Sequence, residues 1–243
     1  VVMMVFTSVY CVVDGFFVSN FAGKTAFAAI NLIMPFIMIL GGIGFMIGTG
    51  GSALVSYTLG TGDKEKANRY FSMLVYFTIL AGILLTVLGI IFVRPIAELF
   101  GADESMMDTC VLYGRIVIAF NAAFMLQNIF QSFFVVAEKP RLGLIVTIAA
   151  GVTNMVLDAL FVGVFKWGTV GAALATGISQ SIGGLLPLLY FALPNNSPLQ
   201  LTRTGFELAP LLKASSNGCS ELMSNVASSL IGIVYNYQLL RLG

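Results

Sequence analysis

Gly151 to Gly163 reads GVTNMVLDALFVG and sets an amide and an acid, Asn154 and Asp158, inside an apolar run. From Leu142 to Phe165 the chain holds no other ionisable residue, and that run is long enough to cross a bilayer. A spacing of four stacks both side chains on one helix face. A charged Asp near the bilayer centre costs roughly 2.5–3.5 kcal/mol on insertion scales. A chain keeps such a group when it has a partner or a task. A second acid of this kind is Asp14, inside VYCVVDGFFV. The chain reads as a scaffold that brings the two acids together.

Working outward, composition sets the class. Of 243 residues, 58% are hydrophobic and 9% charged, against about 25% charged in soluble domains. This is an integral membrane protein in a lipid bilayer. A net charge of +1 and a largest basic group of Lys64, Lys66 and Arg69 argue against nucleic acid as a partner. Cys11, Cys110 and Cys219 are scattered and the chain has no histidine, so neither a disulfide framework nor a structural metal site is expected. The chain opens with Val1 inside an apolar segment, without the basic start and cleavage pattern of a signal peptide. With its end in NYQLLRLG, it is expected to be a fragment of a longer protein.

Apolar runs predict seven membrane helices, near 1–22, 27–59, 69–93, 107–136, 142–165, 169–193 and 206–240. The second and fourth are longer than a bilayer needs and should protrude or kink, with Pro35 the expected kink in the second. The fold class is all-α, a polytopic membrane helix bundle. Its domains are a six-helix lobe over 1–193, a linker over 194–205, and a seventh helix over 206–243 that starts a truncated second lobe. Basic residues alternate between loops. Lys64, Lys66, Arg69, Lys139, Arg141, Arg203 and Lys213 fall in even loops, and Lys24, Arg94 and Lys166 in odd ones. Arg115 and Arg241 are assigned to helix ends. The positive-inside rule puts the N-terminus and even loops in the cytoplasm of a plasma (inner) membrane protein. Loop three, with Glu98, Asp103, Glu104 and Asp108, is then external.

Small residues recur at packing spacing, in Gly44-xxx-Gly48-xxx-Ser52 and Ala173-xxx-Gly177-xxx-Ser181, a pattern that lets backbones approach closely in lipid. Asn236 in the seventh span, followed by a glycine, echoes Asp14 in the first. This hints at a second copy of the architecture beginning there.

Polar residues inside the spans define the candidate site. Thr7, Tyr10 and Asp14 share a face of the first helix. Tyr113 and Gln131, five turns apart, are expected on one face of the fourth, with Gln127 and Asn128 near it. Asn154 and Asp158 follow on the fifth, and Thr176 and Gln180 on the sixth. No Lys or Arg sits on these faces. Two carboxyls in a low dielectric without a counter-ion take up a proton or a small hard cation such as Na⁺, and an organic cation answers the same charge. For Thr7, Gln127, Asn128 and Gln180, helix-to-helix hydrogen bonding is the plainer role. Without histidine, a metal-ligand cluster, GxSxG or a paired nucleophile, an enzyme is not expected; an intramembrane aspartyl enzyme would rest on the two acids alone.

Together these residues resemble the multidrug and toxic compound extrusion (MATE) family. The resemblance runs through VDGFFVSNFAG, AFAAINLIMP, GTGGSALVSYTLGTGDKEKAN, FFVVAEKPRLG, and NMVLD followed by GTVGAALATGIS. It implies two six-helix lobes around a cleft, with this chain the first lobe plus the seventh helix and the second lobe missing. It implies export of small organic cations, as in multidrug efflux, by H⁺ or Na⁺ antiport through alternating access, with no cofactor beyond the coupling ion. The family's first-lobe cation site falls on Asp14, Tyr113, Asn154, Asp158 and Thr176. Gln131 stands where the family has Asn. Glu221 in SNGCSELMSN is the candidate seventh-helix acid, and Tyr10 and Asn225 are further candidates for a substrate or second site. The alternatives are a lipid-linked oligosaccharide flippase of related fold, which would want basic residues in its cavity, and a non-transporting membrane scaffold.

Overall fold

The computed structural model describes residues 1–242. They form α1 (Val2–Phe17), α2 (Lys24–Gly60), α3 (Lys64–Leu99), α4 (Glu104–Ala119), α5 (Asn121–Val136), α6 (Pro140–Asp158), α7 (Gly168–Ala192) and α8 (Leu208–Leu242). Helices α1 and α6 continue as π-helical turns over Val18–Ala22 and Ala159–Val164. Among the described residues five helices are long and apolar enough to cross a membrane, and α4 with α5, bent by 53°, make a sixth if the pair is counted as one span. Short connections join the successive spans from α1 to α7. Gly62, at φ 86°, makes the turn before α3, a backbone region where side chains with a Cβ are strained. Asp63 Oδ1 then caps α3 by accepting from Lys66 N at 3.0 Å. Asp103 does the same for α4 from Met106 N, also at 3.0 Å. Hydrogen bonds from the Ser105 hydroxyl and the backbone hold the Asp103 carboxyl below its ordinary range.

The two long runs differ. Helix α2 runs unbroken through Pro35. The fourth run bends, as its length led one to expect, at Phe120, between α4 and α5 and without a proline. Phe120 takes φ −96° and ψ 10°, and its ring fills the place of a side chain at Gly177 on α7. The break lets α4 and α5 follow α7 in different directions. Arg115 is not at a helix end; it stands in the interior of α4 on an exposed face.

The core has two parts. Around the α2–α3–α4 contact lie Ile33, Val93, Cys110, Tyr113 and Ile118. Toward the opposite end, Phe71, Phe130, Phe133, Phe134 and Phe191 interlock, with Phe71 ring centroids 4.8 Å from Phe133 and 5.0 Å from Phe191. Lipid tails are as apolar as these rings, so close packing rather than escape from water holds the helices together. The glycines of α2 serve two neighbours. A Cβ at Gly44 would stand 2.8 Å from Met125 Cα, and one at Gly48 3.0 Å from Ile129 Cα, both on α5. A Cβ at Gly50 would overlap the Ala214 carbonyl of α8.

Helix α8 is the most polar of the long helices and is not among those apolar enough to span by composition. It nonetheless lies along α2 for most of its length, from the Gly50–Gly218 crossing to Asn236, whose Nδ2 donates to Asn31 O at 2.9 Å. The contact carries α8 beside a helix that spans.

Candidate cation site

Helices α1 and α6 run parallel in close register. At Gly151 an added Cβ would overlap the Phe6 ring and stand 3.2 Å from Tyr10 Cδ1, and at Gly163 it would stand 3.7 Å from Phe17 Cε1. Between these crossings, one turn on from Tyr10, Asp14 meets Asp158; the two carboxyl groups are immediate neighbours. Both acid-bearing helices change from α to π within one turn of their acid. Such π turns interrupt the regular ladder and recur at functional sites.

Asp14 borders a cavity of about 100 Å³ enclosed by α1, α2, α4, α5, α6 and α7. Tyr10, Tyr113, Asn154, Thr176, Gln127 and Gln180 supply its polar wall, and Met34, Met38 and Phe124 part of its apolar wall. Asp158 is 0% exposed, Tyr113 1% and Asn154 2%. Asp158 stands behind Asp14 rather than on the cavity wall. Tyr113 meets Thr176 beside the acids. Asp14 Oδ1, both oxygens of Asp158, Asn154 Oδ1 and Gln180 Oε1 are buried without a hydrogen-bond partner. Burying oxygens unpaired costs several kcal/mol in an apolar setting unless something answers them. No Lys or Arg lines the cavity. A proton on the acid pair, or a hard cation held by carboxylate, amide and hydroxyl oxygens, suits this donor set.

The structure thus gathers Tyr10, Asp14, Tyr113, Asn154, Asp158 and Thr176 in one place. It does not place Gln131 there. The bend at Phe120 removes the single face on which Tyr113 and Gln131 were expected to lie, and Gln127, one turn earlier on α5, lines the cavity instead. Gln180 joins it. The i, i+4 pairing of Thr176 and Gln180 was the available signal for Gln180, whereas nothing in the local sequence marks the bend that selects Gln127. Glu221 is exposed on α8, away from the cavity. Asn225 donates to Glu221 O at 2.9 Å and borders the α2–α8 groove.

Known proteins agree with this architecture. Multidrug export protein MepA of Staphylococcus saprophyticus is 27% identical over 183 residues, covering 75% of this chain and 41% of its own. Its namesake in Staphylococcus haemolyticus is 25% identical over 189 residues, covering 78% and 42%. This chain therefore spans less than half the length of these relatives. Among solved structures, an inward-facing multidrug resistance MATE family transporter of the MOP superfamily superposes with TM-score 0.87 at 20% identity, over 94% of this chain and 52% of that one. An outward-facing structure of such a transporter gives TM-score 0.87 at the same identity, over 94% and 51%. The likeness is to the fold of one half of these transporters. The family model described as MatE matches residues 1–160, and with that match the chain, an all-α membrane protein, belongs to the MatE family.

Proposed function

We propose that this chain is the first lobe, with the start of the second, of a secondary transporter that exports small organic cations in exchange for H⁺ or Na⁺. The observation that carries the coupling is the acid pair. Asp14 is open to the cavity, Asp158 is sealed behind it, and neither has a cationic side chain to answer it. A coupling ion drives alternating access only through a difference in its affinity for the two states. A buried carboxyl pair gives such a difference, because its charge is stable only while an ion or proton is bound. The cavity is too small for a drug-sized ligand, which needs about 300–1,000 Å³. In this conformation it suits the coupling ion, while the organic cation is assigned to the cleft that a second lobe would complete. The even-loop basic residues support a plasma-membrane orientation with the N-terminus in the cytoplasm.

The test uses the full-length protein in proteoliposomes loaded with a fluorescent organic cation. Imposed H⁺ or Na⁺ gradients, applied one at a time, should drive concentrative movement, and Asp14→Asn should remove the gradient dependence while the protein stays folded. Movement indifferent to both gradients would overturn the reading.

A further inference from the structure

The segment between α7 and α8, residues 193–207, is bound along α3. Asn68, Ser72 and Tyr76 stand four residues apart on that helix. Asn68 Oδ1 accepts from Gln200 N at 3.1 Å. Ser72 Oγ accepts from Thr202 N at 2.8 Å and lies 3.4 Å from Thr202 Oγ1. Tyr76 OH donates to Thr202 O at 3.2 Å. The register has a simple cause. Four residues of helix rise about 6.0 Å, and two residues of extended chain about 6.6 Å, so Gln200 and Thr202 meet the successive turns at Asn68 and Ser72, and the longer Tyr76 side chain reaches back to Thr202. The strap is fixed from behind as well. Leu199 is fully buried in the aromatic core, and Leu201 N donates to Phe191 O at 2.9 Å.

Beyond Thr202 the attachment weakens. Arg203, Gly205, Phe206 and Glu207 are exposed, and a Cβ at Gly205 would meet nothing within 4 Å. Glu207 is held by a 3.3 Å hydrogen bond from its N–H to Met73 Sδ and by a 3.7 Å ion pair with Arg69, contacts of small worth at an exposed site. Helix α8 starts at the next residue.

We propose that Asn68 and Ser72 are positioning residues for transport. They keep residues 200–202 fixed to the first lobe throughout the cycle, and α8 swings about residues 203–207 while its contact with the glycine face of α2 opens and closes. The inference rests on the transport reading above. Hinges are short segments that absorb backbone rotation between rigid bodies, and this one lies between a tied strap and a tightly crossed helix.

Two cysteine pairs in the full-length protein, with Cys11, Cys110 and Cys219 replaced by serine, test it. Ser72→Cys with Thr202→Cys fixes the strap. Gly42→Cys with Asn225→Cys fixes the α2–α8 crossing, where a Cβ at Gly42 lies 3.6 Å from Asn225 Cβ, close to the Cβ separation of about 3.8 Å in disulfides. The strap disulfide should form equally with coupling ion or with organic cation present, and leave uptake within about twofold, the effect of a change outside moving parts. The crossing disulfide should cut uptake by at least about tenfold, because a locked element cannot shift between states, with recovery on reduction. Asn68→Ala with Ser72→Ala should lower the maximal rate with KM unchanged, and Asn68→Asp, which keeps the acceptor, should restore it. Arrest by the strap disulfide, or its formation under one condition only, would overturn the proposal. If the parent protein moves no organic cation, the transport reading fails, while equal or unequal strap yields under the two ligands still decide whether the strap stays fixed.

Discussion

Tyr10 packs against Gly151, where a side chain would overlap the Phe6 ring, and one turn on from this contact Asp14 lies beside Asp158. The site depends on a helix crossing as much as on its acids. Gly151→Val should push α1 away from α6 and cost about 1–3 kcal/mol, as overpacking does. Ion-dependent uptake should fall with it. Phe6→Leu, which removes the overlapping ring, should recover part of the loss. A thermal-unfolding double-mutant cycle checks this, and strict additivity of the two substitutions would refute it.

The two acids differ in reach. Asp14 borders the cavity, whereas Asp158 is sealed behind it. A hydrophobic carbodiimide should therefore modify Asp14 first, and the coupling ion should protect it. Peptide mass spectrometry after brief exposure reads the order of modification. Faster reaction at Asp158 would contradict the geometry.

Gln127 and Gln131 separate the two accounts of the bent span. Gln127→Leu should weaken ion-driven uptake and shift the ion concentration needed for half-maximal rate. Gln131→Leu should change neither by more than about twofold, as for positions outside a site. The reverse pattern in gradient-driven uptake would favour one continuous face through Tyr113 and Gln131.

Loop charge puts the Asp63 turn inside the cell. A cysteine placed at position 63 should resist a membrane-impermeant maleimide added to intact cells and react once the cells are opened. Labelling from outside would reverse the proposed orientation.

Phe71 lies at the centre of the aromatic cluster with Phe130, Phe133 and Phe191. Phe71→Ala should cost about 3–5 kcal/mol of stability, because the surrounding rings cannot close the gap fully. The midpoint of thermal unfolding in detergent measures it. A change below about 1 kcal/mol, the cost of a single methyl-sized cavity, would show that the cluster does not act as one packed unit.

By itself the sequence determined the membrane class and the helical content, because sustained apolar runs have few other stable states in a bilayer. It also singled out Asp14 and Asp158, since acids in such runs are costly enough to stand out. Helix spacing also marked Asn154 beside Asp158, and Tyr113 and Thr176 as polar residues inside their spans; their grouping into one cation site came from the family resemblance, and the structure gathers them around the acids. What only the tertiary structure decided is where the fourth apolar run bends, and hence that Gln127 rather than Gln131 faces the cavity. At the bend the Phe120 ring fills the space over Gly177 on another helix, fifty-seven positions along the chain, and no local pattern announces where the bend falls. The same holds for the strap. Asn68, Ser72 and Tyr76 show as an i, i+4, i+8 polar row, but their partners Gln200 and Thr202 lie in an irregular segment without periodicity. Local sequence fixes which groups a helix offers on each face; which distant backbone meets that face is decided only when the helices pack.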